Sequence, residues 1–344
     1  MQHYLPKWLY IVGVNEKGLK DLDAYCYHLI IKAKHIVGSK NYIEMVQSLT
    51  SAQCHQWQKP FDKNFDILKK IRGQQTVILA TGDPMNFGVG TSLLAHFDLA
   101  EISILPNLSA FSLVSAQMGW PIEQTECISL HGRSHHKLKQ FLYRRARIIA
   151  LGWHEDTGSQ IAKTLVETGF GHAKINAFSH LGGPKAMRVQ QVAHLWHDLK
   201  LSAFTSFAID LGDQPSDYIG AGPIVDDGLL NHDGQLTKSD LRALALAKLR
   251  PFAGSILWDM GAGSGAISIE WARAKGKAIA IEKRLDRCQL IAKNIAFWGM
   301  EDLIDVWHGN HVDFVKQKQQ TLPDAIFIGG GVSGGIYVII SVCS

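Results

Sequence analysis

The sequence predicts an α/β protein of two successive modules, and three observations carry that reading. Short apolar runs such as Leu9-Tyr-Ile-Val-Gly-Val14, Thr76-Val-Ile-Leu-Ala80 and Ala278-Ile-Ala-Ile281 recur between helix-spaced segments, as buried parallel strands do. The strand Ile256 to Asp259 runs into a turn with glycine at 261, 263 and 265, and a helix opens at Ala266. Between the halves, 215–228 carries Gly220, Gly222, Pro223 and Gly228 among acids, the composition of a connecting segment. The chain of 344 residues is long for one domain and comfortable for two. The expected division is a first module over 1–212, a linker over 213–232 and a second module over 233–344.

A content of 46% hydrophobic and 19% charged residues is that of a globular protein with substantial cores. The net charge of +4 suits an acidic small molecule, but the basic residues are dispersed and form no nucleic-acid footprint. The densest cluster, Arg144, Arg145 and Arg147, reads as solvated surface. Five scattered cysteines without a C-x-x-C argue against a disulfide framework or a zinc site. No stretch reaches the roughly 18 apolar residues of a membrane span, so a cytoplasmic setting without membrane or metal is expected.

In order, Leu9–Val14 is the first strand, 19–33 has helical spacing, His35–Gly38 is a short strand and 41–49 a helix. The strand Thr76–Ala80 enters Thr81-Gly82-Asp83-Pro84, which sets an acid and a proline-stiffened loop at a sheet edge where open α/β folds bind ligands. Further strands are read at 102–105, 148–151, 175–178 and 206–211, with helices after Pro106-Asn-Leu-Ser-Ala-Phe-Ser112 and over 161–168.

Val12-Gly13-Val14, Gly82-Asp83-Pro84 with Phe87-Gly88, Pro106 to Ser112, Ser129-Leu-His-Gly-Arg133 and Leu181-Gly-Gly-Pro184 occur in the order of one family. Residues 9–210 resemble the tetrapyrrole methylase fold of the corrin-pathway C-methyltransferases. The resemblance implies a two-lobed domain that binds S-adenosyl-L-methionine between its lobes, near Gly82, Asp83 and Pro84. The loop Asn15-Glu-Lys17 departs from it, being poorer in glycine and acid than the family's first loop.

In the second half, Glu282 closes a strand about 20 residues after Gly261, where a carboxylate can bond ribose hydroxyls. Gly261-x-Gly263-x-x-Ala266 also satisfies a dinucleotide pattern. Asp259 ahead of Gly261, Gly263 and Gly265 instead resembles motif I of the class I (Rossmann-like) methyltransferases. An acid there suits the cation of S-adenosyl-L-methionine and opposes a pyrophosphate. Thr237 or Asp240 is a candidate cap for a helix whose apolar face is read as Leu241, Leu244, Leu246 and Leu249. Strands follow at 304–308 and 325–328, then Gly329 to Gly331.

The order of both modules resembles a two-module corrin-pathway methyltransferase of cobalamin biosynthesis. That implies C-methylation of a precorrin-type tetrapyrrole at two meso carbons, with loss of CO2 from an acetate arm. The conjugated ring supplies a nucleophilic carbon and an electron sink, so alignment is the protein's main task. The resemblance makes Asn310 a candidate adenine contact, and Thr237, Lys238, Gly330 and Gly331 candidates on the substrate side. His131 and Arg133 could pair with substrate carboxylates or be turn residues. Glu270 could pack or bind, and no general base is named.

A class I module uses seven strands, whereas four are counted, with Ile336 to Val342 available as a fifth. The second module is therefore expected to be truncated, with an open edge favouring self-association into a homo-oligomer. Two rival readings stand beside the enzyme: an RNA methyltransferase, and a second module reduced to a scaffold.

Overall fold

The computed structural model describes residues 7–197, 199–213, 216, 218, 224–316, 322–329 and 337–339. Leu9–Val14 (β1), His35–Gly38 (β2), Gln53–Gln56 (β3), Thr76–Thr81 (β4) and Ile102–Leu105 (β5) form one all-parallel sheet in the order β3-β2-β4-β1-β5. Alternation sends Leu9, Ile11, Ile78 and Ala80 into one core and Val12, Val14, Val77 and Leu79 into another. Burial on both faces is why these strands read as continuous apolar runs.

The second lobe is a mixed sheet of Glu126–Ser129 (β6), Arg147–Leu151 (β7), Lys174–Ser179 (β8), Met187–Val192 (β9) and Thr205–Asp210 (β10), ordered β6-β7-β10-β8-β9. Only β6 and β7 pair in parallel. The edge strand β9 is absent from the sequence reading. Its Met-Arg-Val-Gln-Gln-Val run is largely exposed, and polar residues interrupt its three apolar ones.

The second module is built on Ile256–Met260 (β11), Lys277–Glu282 (β12), Ile304–His308 (β13), Ala325–Ile328 (β14) and Tyr337–Ile339 (β15). The order is β13-β12-β11-β14-β15, with the first four strands parallel and β15 antiparallel to β14. The fifth strand expected within Ile336 to Val342 is thus present over Tyr337–Ile339. The α/β class and the two-module architecture are as the sequence predicts.

One helix is rotated from its expected face. In Ser239–Leu249 the buried positions are Arg242, Ala245, Leu246 and Leu249, while Leu241 and Leu244 are 46% and 64% exposed. The cause is Arg242, which is fully buried. Its guanidinium donates to Asp227 Oδ1 (2.7 Å), the Thr237 carbonyl (2.6 Å), the Val225 carbonyl and Glu270 Oε1 (3.4 Å). Glu270 also takes the Val225 amide (2.7 Å) and Arg273 (2.7 Å). A buried guanidinium needs these partners, and they turn the leucines outward. Neither Thr237 nor Asp240 caps the helix: its N-cap is Lys238, with no side-chain cap bond.

The modules touch directly. Gln140 Nε2 donates to the Trp298 and Gly299 carbonyls at 2.8 and 3.1 Å. Lys139 Nζ lies 3.7 Å from the centre of the Phe297 ring, and Tyr218 stacks on Trp298. One apolar cluster runs from Leu138 and Leu142 through Tyr218 and Trp298 into the third sheet. No helix among the described residues is long and apolar enough to cross a membrane.

Candidate active sites

The first site forms where β1, β4 and β5 end side by side. The Gly82 amide donates to the Val14 carbonyl (2.9 Å), and the Gly82 carbonyl accepts the Asn107 amide (3.2 Å). Gly13 makes this possible, since a Cβ there would lie 2.6 Å from the Asn107 nitrogen and closer still to the Gly82 oxygen. Asp83 Oδ1 accepts the Met85 amide at 2.9 Å, fixing the turn. Pro84 is buried beneath it.

Gly82 and Asp83 line a cleft of about 600 Å³ between the two lobes, a size suited to a small-molecule ligand. Its opposite wall comes from the second sheet through Ser129, His131, Trp153, Phe178, His180 and Thr205. His131 meets the Trp153 ring edge-on at 4.2 Å. Partial burial, and then the Arg133 cation, hold its imidazole below the usual value. Arg133 stands outside the cleft wall, over the Phe87 ring and 3.8 Å from Asp302 of the second module. The two residues named together from sequence are therefore separated, one in the wall and one at the module boundary.

The second site is the glycine turn after β11. Gly261, Gly263 and Gly265 have φ of 76°, 63° and 77°, in the left-handed region that favours glycine. The amides of Gly261 and Ala262 donate to the Ile281 carbonyl, which curls the turn over β12. A Cβ on Gly263 would meet nothing within 4 Å among the described residues, so these leave open space beside the turn. Glu282 is buried, with Oε2 accepting the Gly263 amide and Oε1 the Arg284 amide, both at 2.9 Å. Gly329, after β14, donates to the Met260 carbonyl at 2.8 Å. Gly330 and Gly331 lie outside the described residues.

Asp259 is 1% exposed. Its Oδ2 accepts both the Ser268 amide (3.2 Å) and hydroxyl (2.6 Å), whereas Oδ1 has no partner among the described residues. Burial pushes its carboxyl up to about 6, against the pull of the Ser268 bonds. An orphaned carboxylate oxygen beside a glycine turn fits a cationic, N–H-bearing ligand group.

Asn310 follows β13, where the Gly309 amide donates to the Glu282 carbonyl (2.9 Å). Its side chain is engaged with Asp313, accepting that amide at 2.9 Å. Thr237 and Lys238 belong to the Arg242 network, Lys238 Nζ being 3.6 Å from Asp227. Sequence reasoning missed Asn294, a fully buried amide on the helix Leu285–Trp298. It donates to the Ser264 carbonyl in the glycine turn (2.8 Å) and to the Asn231 carbonyl (2.9 Å), and accepts the Asn231 amide (2.8 Å). This pins the segment entering the second module onto the turn. An asparagine on the apolar side of a helix was the available signal.

Two family profiles match the chain: Tetrapyrrole (Corrin/Porphyrin) Methylases over residues 9–189, and Precorrin methyltransferase domain over 228–341. A Sinorhizobium sp protein named precorrin-6Y C(5,15)-methyltransferase [decarboxylating] is 34% identical over 333 residues, covering 95% of this chain and 79% of its own length. A Mycobacterium tuberculosis (strain CDC 1551 / Oshkosh) protein of the same name is 32% identical over 326 residues, or 94% of this chain and 80% of that one. The crystal structure of the methyltransferase CobJ shares the fold with a TM-score of 0.50 at 15% identity, over 59% of this chain and 94% of that one. Two modules, each matched by its own profile in the order its motifs predict, and relatives alike over nearly the whole chain lead to one assignment: the chain belongs to the family of precorrin-6Y C(5,15)-methyltransferases (decarboxylating).

Proposed function

We propose that the chain methylates a precorrin-type tetrapyrrole at carbons 5 and 15 and removes the carboxyl of an acetate arm, in cobalamin biosynthesis, with S-adenosyl-L-methionine as methyl donor. The observation that carries this reading is the buried Glu282 carboxylate held on the Gly263 amide beside an open glycine turn. It stands in a chain that also has a cleft at Gly82 and Asp83. Two nucleoside-type sites in one chain suit two methyl transfers.

The division into 1–212, 213–232 and 233–344 gives one transfer to each module, the second also carrying the decarboxylation. In the first cleft Gly82 and Asp83 hold the donor and His131 faces the substrate. In the second, Glu282 takes the ribose hydroxyls, Asp259 the ammonium, and Gly261, Gly263 and Gly265 let the ligand approach the backbone. Asn310 meets the adenine edge, and Thr237 and Lys238 border the substrate. When bound, the donor supplies a sulfonium-borne methyl for in-line transfer to a nucleophilic carbon. The residues align the two partners, exclude water and leave the macrocycle to stabilise charge. The protein acts in the cytoplasm and self-associates, with Leu241 and Leu244 available as apolar contacts.

Calorimetric titration of the intact chain with the donor, followed by assay of labelled methyl at each carbon, tests the reading. Two donor sites and label at both carbons are expected. Label at one carbon alone would reduce the second module to a scaffold. No donor binding with the tetrapyrrole present would overturn the assignment.

A further inference from the structure

Methyl transfer to a meso carbon leaves one proton to be removed, and the first cleft contains a histidine arranged to take it. Glu16, just after β1 in the first lobe, and His180, just after β8 in the second, both line the cleft. Glu16 Oε2 lies 3.2 Å from His180 Nδ1 across 164 residues of chain. A carboxylate only accepts, so Nδ1 carries the hydrogen and donates it, and Nε2 keeps its lone pair.

The arrangement is built with some strain. His180 has φ of 50°, an uncommon region for a residue with a Cβ. Its amide donates to the Phe204 carbonyl at 3.1 Å, and its carbonyl accepts the Gly183 amide at 3.0 Å. A Cβ on Gly183 would sit 2.7 Å from the Glu16 Cβ, so glycine is what lets the two loops meet. The His180 side chain remains 26% exposed, leaving solvent a route to the ring.

His131 is the rival imidazole in the same cleft. Burial first, and then the Arg133 charge, disfavour an imidazolium on His131, and its ring is packed edge-on against Trp153, whereas His180 has a carboxylate at hydrogen-bond distance from Nδ1 that fixes the ring with Nε2 free to accept. We propose that His180 is the proton acceptor of the first module's methyl transfer and that Glu16 positions it. This rests on the methyltransferase reading above. Attack of the meso carbon forms the bond to the methyl as the methyl–sulfur bond breaks. The electron pair of that bond stays on sulfur, which leaves as a neutral thioether, and the positive charge passes to the ring, whose carbon then bears both the new methyl and its own hydrogen. The C–H bond then breaks, its electron pair returns to the conjugated ring, and the proton goes to His180 Nε2. The imidazolium is held at Nδ1 by Glu16 and releases its proton to water.

The test compares the intact chain with His180→Asn, which tolerates the left-handed backbone, and with Glu16→Gln. Donor affinity is read by calorimetry, tetrapyrrole affinity from its absorbance band, and rates for substrate deuterated at the meso carbon. Expected for His180→Asn are both affinities within about twofold, kcat at the first module's carbon down about 10²- to 10⁴-fold, unchanged KM, and a primary isotope effect. Labelling of the other carbon is unchanged. Glu16→Gln lowers the same kcat by about 10- to 100-fold, the worth of a charge-assisted hydrogen bond. A His180→Asn kcat equal to that of the unaltered chain, or a loss seen only in KM or affinity, overturns the assignment of the base while the methyltransferase reading stands. Absence of donor binding and labelling in the unaltered chain overturns both.

Discussion

Gly299 of the second module lies so close to Lys137 of the first that a Cβ on it would fall 2.7 Å from the Lys137 Cα. Its φ of 61° also favours glycine, and its carbonyl is one of the two that Gln140 holds. Gly299→Ala should therefore part the modules while leaving each folded. The expected outcome is faster protease cleavage within 213–232 by limited proteolysis, with far-UV circular dichroism unchanged. Cleavage at the rate of the unaltered chain would show that the boundary tolerates the methyl group.

Glu282→Gln removes the charge from the hydrogen bond to the Gly263 amide. The charge-assisted bond proposed from Glu282 to the ribose hydroxyls is worth about 1.5–3 kcal/mol, so donor affinity at the second site should fall about 10- to 100-fold. The first site should titrate normally, and calorimetry of the full chain would show one strong site in place of two.

Asp259 carries a pH dependence whose sign follows from its burial. Its carboxyl titrates near 6 in the folded chain, against about 4 when unfolded. The folded state thus binds this proton more tightly, and stability from this group is greatest below pH 4 and falls as pH rises through 6. The full cost of ionisation, about 3 kcal/mol, applies above that range. Asp259→Asn should raise the thermal midpoint at pH 7.5 by several degrees, flatten its dependence between pH 4 and 6, and weaken donor binding at the second site. Differential scanning calorimetry over pH checks the first two, and isothermal titration the third.

Gly13→Ala places a methyl group against the Asn107 nitrogen and the Gly82 carbonyl. The loops after β4 and β5 must separate, at a cost of about 3 kcal/mol or more. Donor binding at the first cleft should disappear and that at the second persist, read by the same titration together with thermal melting.

The strands that position both sites were legible because burial on both faces leaves unbroken apolar runs, as in β1, β4, β11 and β12. The glycine turn was legible because positive φ at 261, 263 and 265 constrains residue type locally. Features that depend on partners far along the chain were not. β9 is ordered by pairing with β8 rather than by burial, so half of its six residues are polar and it carries no continuous apolar run. The face of the helix Ser239–Leu249 is set by Arg242 meeting Asp227 and Glu270, which helical spacing alone does not reveal. Glu16 and His180 are 164 residues apart and meet only because the two lobes face each other.

On the proposed role of Asp259 toward the donor's ammonium, the cost of keeping this carboxylate ionised, with one oxygen unpartnered among the described residues, would also tie the second module's persistence to its cofactor. A ligand that binds only the folded form adds about 2.7 kcal/mol of stability when present at 100 times its dissociation constant. A cell short of methyl donor would hold this module nearer its unfolding threshold, and proteases would clear it sooner. The supply of methyl groups would then govern the amount of intact catalyst as well as the rate of each turnover.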